Sequence, residues 1–171
     1  MRGLMRGALI NPDEWDFGQG GDQVSARVSG LLLEQSRMDG IVDADAGTVY
    51  TEWTLVFRND SHQQREARAE IALPQGSVVS RLTLWIDGEE REAAYSGRAK
   101  VKAAYKRVVQ RRRDPVLVTT SGPDQVLMQC FPVPPSGGTM KTRIGITSPL
   151  VLKQRDHGLL RLPYFVERNF G

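Results

Sequence analysis

From position 49 the chain alternates strictly. Val49, Thr51, Trp53, Leu55 and Phe57 fall on one side of an extended backbone, and Tyr50, Glu52, Thr54 and Arg58 on the other. A period of two, carried by β-branched and aromatic residues, marks a strand with one buried and one wet face. Asn59-Asp60-Ser61 supplies a turn, after which the pattern returns. Ala67, Ala69, Ile71 and Leu73 alternate with Arg68 and Glu70 until Pro74-Gln75-Gly76 stops them. Leu82, Leu84 and Ile86 alternate with Arg81, Thr83 and Trp85 and run into Asp87-Gly88, a dipeptide that accepts the positive φ angles of a tight hairpin. The return strand is predicted over 90–95. Upstream, strands are predicted over 24–33 and 37–43; Asp39-Gly40 lies inside the second, where a turn or bulge is the alternative. Downstream they are predicted over 116–119, 126–133, 139–147 and 159–163, with Pro132, Pro134 and Pro135 confined to a strand end or an edge.

One stretch breaks the period. Across 98–113 the apolar residues Val101, Ala104, Tyr105, Val108 and Val109 are spaced by three and four, which places them on one helical stripe. Asp114-Pro115 ends that helix, because the residue before proline avoids the helical region. Many short strands around a single helix predict a mainly β fold: an antiparallel β-sandwich with one amphipathic α-helix. A chain of 171 residues fits one domain, and one of this size buries roughly two-thirds of its unfolded surface without needing a staple. The expected division is a flexible lead-in over 1–22, ending in Phe17-Gly-Gln-Gly-Gly21, a single domain over 23–165, and a tail over 166–171 that leads into the rest of a larger protein.

Several chemistries fail on residue type or spacing. Cys130 is the single cysteine, so neither an intrachain disulfide nor a cysteine zinc site can form. It reads as a small inward-facing hydrophobe, and His62 and His157 sit in loop sequences that offer it no catalytic partner. Asp39, Asp43 and Asp45 lack the spacing and the terminal glutamate of a calcium loop and read as a polar turn. Glu89, Glu90 and Glu92 follow a hairpin turn, where three acids form a solvated edge instead of a facing acid–base pair. Ser121-Gly122 and the glycines at 18–21 lack the lysine and helix onset of a phosphate loop. Asn59-Asp60-Ser61 matches a glycosylation sequon, which matters only in a secreted eukaryotic protein. No catalytic, cofactor or metal residue is therefore predicted. Asn11-Pro12-Asp13-Glu14 interrupts the first apolar run too early for a signal peptide, and nothing approaches the ~18 apolar residues of a membrane span. The stretch in hand is expected to be a soluble domain.

The net charge of +3 is modest, but the cations are gathered. Arg98, Lys100, Lys102, Lys106, Arg107, Arg111, Arg112 and Arg113 follow one another with no acid between them. Arg111 to Arg113 fall near the predicted helix C-terminus, where cations meet the negative end of the dipole. The plain reading is a solvated outer face. The sharper one is a partner-binding surface of Arg98, Lys102, Lys106, Arg111, Arg112 and Arg113, facing an acidic protein or anionic lipid headgroups. Nucleic acid is not expected, since no groove-reading motif accompanies the charges and Tyr105 lies on the apolar stripe.

The order of short pieces from 49 to 150 resembles the VIT domain, named for vault protein and inter-alpha-trypsin inhibitor heavy chains. Those pieces are Phe57-Arg58-Asn59, Glu66-Ala67, Ala72-Leu73-Pro74, Val79-Ser80-Arg81-Leu82 and Ile86-Asp87-Gly88. A helix carrying Ala104-Tyr105 follows, then Asp114-Pro115-Val116-Leu117, Phe131-Pro132-Val133-Pro134-Pro135 and Thr142-Arg143-Ile144-Gly145-Ile146. The wording Glu52-Trp53-Thr54-Leu55 and Gln129-Cys130-Phe131-Pro132 looks most like VIT domains inside large bacterial integral membrane proteins, in organisms with exosortase-type (PEP-CTERM) protein sorting. The resemblance implies a β-sandwich, a protein-interaction role and no known catalytic residue. The expected partner is a neighbouring domain of the same polypeptide or another protein. VIT domains often precede a von Willebrand type A domain, whose metal site begins Asp-x-Ser-x-Ser, and that motif does not occur in these residues. A purely structural spacer is the alternative; an unrecognised hydrolase ranks below both.

Overall fold

The structure, a computed structural model, describes residues 24–86, 88–92 and 116–171. In chain order the strands are β1 (Leu31–Asp43), β2 (Thr48–Asn59), β3 (Arg65–Ala72), β4 (Val78–Ile86), β5 (Glu89–Glu92), β6 (Val116–Gly122), β7 (Gln125–Val133), β8 (Gly138–Pro149), β9 (Val151–Gln154), β10 (His157–Leu159) and β11 (Tyr164–Arg168). They pair antiparallel into a five-stranded sheet, ordered β1-β2-β8-β4-β5, and a four-stranded sheet, ordered β11-β3-β7-β6. A separate β9–β10 hairpin stands outside both. The described residues thus form a mainly β, antiparallel fold. The helix predicted over 98–113 lies outside them.

The alternation that opened the sequence is realised along β2, where every second side chain is buried. Trp53, Leu55 and Phe57 join Met140, Ile144 and Ile146 of β8 and Leu82 and Leu84 of β4 on the inner face of the first sheet. From the second sheet come Ala67, Ala69 and Ile71 of β3, Val126, Met128 and Cys130 of β7, and Val116 and Val118 of β6. These form one hydrophobic cluster, so the two sheets share a core as a sandwich does. Each fully buried Leu, Ile or Phe here contributes on the order of 1.5–3 kcal/mol over its exposed state. A chain of rings spans the two layers. Trp53 of β2 lies 4.5 Å from Phe165 of β11, Phe165 lies 5.4 Å from Phe170, and Phe170 lies 5.0 Å from Phe57.

Three boundaries differ from the sequence reading. β1 begins at Leu31 and passes unbroken through Asp39-Gly40, which pair with Glu52 and Thr51. Twelve residues of β2 offer a full ladder, and that pairing outweighs the local turn preference; the register shift falls instead between Leu33 and Gln35. The strand predicted over 159–163 ends at Leu159 as the second arm of a short hairpin. The residues at 166–171 are no tail. Tyr164–Arg168 pairs with β3, Phe170 is fully buried, and Gly171 exchanges backbone hydrogen bonds with Leu31 and Leu33. Burial of a phenylalanine and capture of the backbone by β1 hold the chain end inside the fold.

Candidate interaction surfaces

The residues singled out for chemistry are, where described, committed to the fold. Asp39 accepts hydrogen bonds from Arg37 in β1, and Asp43 accepts one from the Ala46 amide, closing the β1–β2 turn. Asn59 of the sequon is completely buried. Its amide nitrogen donates to the carbonyls of Gln63 and Val133, and its oxygen accepts from both the amide and the hydroxyl of Ser61. Cys130 is buried as well. Loss of solvent, and then the negative charge of Glu66, push its thiol above the ordinary range, so it stays protonated and unreactive. His157 is exposed and meets Asp156. Ser121 donates to Glu70. Among the described residues no group of three or more His, Cys, Asp or Glu side chains is placed to hold a metal. Arg98, Lys102, Lys106, Arg111, Arg112 and Arg113 lie outside the described residues.

The outer face of the five-stranded sheet carries a woven set of charges. Glu52 of β2 faces Arg81 of β4 at 3.8 Å and Arg143 of β8 at 3.6 Å, and Tyr50 donates to it at 3.0 Å. Gly145 makes this possible: a Cβ there would stand 2.6 Å from the Tyr50 hydroxyl, so only glycine lets that ring lie across β8. Partial burial, then the bond to Glu52, raise the Tyr50 phenol above its ordinary value. Arg143 also donates to Glu90, and Arg81 to Glu92. The acids of β5 therefore face arginines, not each other. Lys141 stands 4.0 Å and Arg143 4.8 Å over the Trp85 ring, a cation–π pair of contacts. Between β1, β2 and β8 this face dips into a shallow polar depression lined by Arg37, Asp39, Glu52 and Arg143. Arg37 and Asp39 pair within it, as do Glu52 and Arg143, while Lys141 on its wall is held over Trp85, so most of its charge is already engaged.

Two other surfaces are open. The first is the outer edge of β1, which pairs only with β2 among the described residues. Beyond the shift at Leu33/Gln35 almost the whole strand is exposed, ending in Ile41 at 72% and Val42 at 51%. The second is the β9–β10 hairpin, every residue of which is exposed, with Leu160 and Leu162 just beyond it. It joins the end of β8 beside Pro74 and Pro149. Sequence reasoning expected edge strands or the helix face to hold a partner but could locate neither surface, because apolar residues in an extended pattern read as core and only the sheet order shows which of them lack cover.

Among the described residues no helix is long and apolar enough to cross a membrane. The family model described as vault protein inter-alpha-trypsin domain matches residues 32–146, from β1 to the end of the β8 core positions. No curated protein matches the chain.

Proposed function

The chain belongs to the vault protein inter-alpha-trypsin (VIT) domain family, and from that premise we propose that it is a non-catalytic protein-interaction module of a larger, membrane-bound bacterial protein. The observation that carries this reading is the outer edge of β1. Past Leu31 and Leu33, whose backbone groups are bonded to Gly171, the strand pairs on its outer side with nothing among the described residues and so offers backbone donors and acceptors as a template for an added strand. Exposed Ile41 and Val42 supply apolar anchors at its end. Arg37 and Asp39 neutralise each other beside them. The partner is a neighbouring domain of the same polypeptide or a second protein. No nucleic acid or cofactor enters the reading.

Its non-catalytic part is supported by how the titratable groups are used. Glu52, Glu90 and Glu92 are taken up by Arg81 and Arg143, and Cys130 is held as a buried neutral thiol. A bacterial membrane protein of the exosortase-associated kind is supported by the wording Glu52-Trp53-Thr54-Leu55 and Gln129-Cys130-Phe131-Pro132. The test is amide hydrogen exchange over 35–43, compared between the 171-residue chain and the full-length parent. Outward-facing amides should exchange at least about tenfold more slowly in the parent, since strand addition protects them. Equal exchange in the two would sink a neighbouring domain as the partner, and equal exchange with and without a host-cell extract would sink the reading and leave a spacer role.

A further inference from the structure

Beyond any protein partner at β1, we infer that the β9–β10 hairpin, with the segment to Leu162, docks on an anionic lipid bilayer. Val151, Leu152, Leu159, Leu160 and Leu162 are all exposed, Leu152 by 60% and Leu162 by 52%. None belongs to the hydrophobic core cluster, so folding does not explain why these positions are apolar. Lys153, Arg155 and Arg161 are interleaved with them and exposed. Among the described residues no carboxylate pairs with any of the three, and the one local acid, Asp156, is taken by His157 at 2.7 Å.

Two features choose a bilayer over a protein groove. Successive residues on a strand point to opposite faces, so Leu152 lies on the face away from the one where Val151 and Leu159 border Pro74 and Pro149. With Leu160 and Leu162 beyond it, the hairpin offers scattered apolar side chains among cations and no closed groove, the form that inserts at a headgroup–acyl boundary. The free cations then complement the negative surface potential of anionic lipid. The hairpin also stands apart from both sheets, so it can enter an interface without breaking a ladder of the sandwich.

The experiment is flotation of the 171-residue chain with vesicles of phosphatidylcholine alone or with about one-third phosphatidylglycerol. Binding should require the anionic lipid and weaken at least about tenfold when salt rises to ~1 M, where the Debye length is roughly 3 Å. Two variants with native circular dichroism separate the contributions: Leu152→Ser/Leu160→Ser/Leu162→Ser and Lys153→Glu/Arg155→Glu/Arg161→Glu should each lose at least about tenfold in partition. The inference is overturned if Arg111→Ala/Arg112→Ala/Arg113→Ala loses binding while both hairpin variants float like the parent chain. A fluorophore on Leu160→Cys should shift to the blue with anionic vesicles. An unshifted probe on floated protein, or concentration-dependent self-association abolished by the leucine variant in the absence of any flotation, overturns it equally.

Discussion

Asn59 spends its whole hydrogen-bonding capacity inside the fold, two donors and two acceptor contacts, at the corner where β2 leaves the first sheet. Asn59→Ala strands the Val133 carbonyl in a buried site and releases the Ser61 turn; it should cost ~2–4 kcal/mol in urea unfolding. A glycan on this nitrogen is incompatible with the folded state. The sequence showed the turn but not this duty, because Val133 lies 74 residues away and a sequon is a purely local pattern. Cys130 was legible, since it falls on the apolar side of a strand pattern. Its consequence is a pH dependence whose sign follows from the raised folded-state value. A group with a raised pKa contributes stability that is fully present below its unfolded value, about 8.5 for a thiol, and is lost as pH rises toward the folded value. Urea midpoints should therefore fall above about pH 8.5, and Cys130→Ala should flatten the decline between about pH 8.5 and 10. Tyr50 is raised in the same direction and adds its own decline only above about pH 10. A slope identical in the two proteins would show that the thiol plays no part.

At the scale of elements, the strands with long unbroken alternation were the legible ones. β2, β3 and β7 could be placed from their patterns, because burial of one face enforces the register a strand adopts. The strand over 37–43 was legible, but its continuity with the residues before it was not, and the turn alternative at Asp39-Gly40 gave way to a partner strand that satisfies the inward-facing backbone groups. The chain end was misread for the opposite reason: Val166-Glu167-Arg168-Asn169 is polar and short, and its role rests on distant residues. Asn169 accepts from the Arg68 amide and donates to the Glu66 carbonyl, taking the place of one more strand residue beside β3. Phe170→Ala should lower stability by about 3–5 kcal/mol, the usual cost of emptying a buried phenylalanine site. A change below about 1 kcal/mol in denaturant unfolding would restore the tail reading. The edge of β1 predicts the reverse: Ile41→Lys should leave stability within about 0.5 kcal/mol, because that side chain is already in water. In the parent protein the same change should abolish the slowed amide exchange over 35–43.

For the whole molecule the decisive feature is how the two sheets are joined. Chain neighbours are placed in different layers, β2 in one and β3 in the other, β7 in one and β8 in the other. Alternation alone could supply strands and their buried faces, but not this assignment, which depends on pairings between strands far apart in sequence. That is also why exposed Ile41 and Leu152 looked no different from buried Leu55 before the sheet order was known. The stitching is reinforced at the chain end. Val28 donates to Asn169, Gly171 to Leu31, and Leu33 to Gly171, so the last residues of one sheet's edge are bonded to the entry of the other's. With Trp53, Phe165, Phe170 and Phe57 in ring contact across the layers, neither sheet keeps its inner face covered once the other opens. Unfolding should therefore be a single transition in which both sheets are lost together. In a chain with Trp15→Phe and Trp85→Phe, Trp53 fluorescence reports the inner face of the first sheet while far-ultraviolet circular dichroism reports strands of both. The two curves should coincide in urea, and Phe170→Ala should move both midpoints by the same amount. If Trp53 became solvated while part of the strand signal persisted, the four-stranded sheet would be stable on its own and the shared core would not be what holds this domain together.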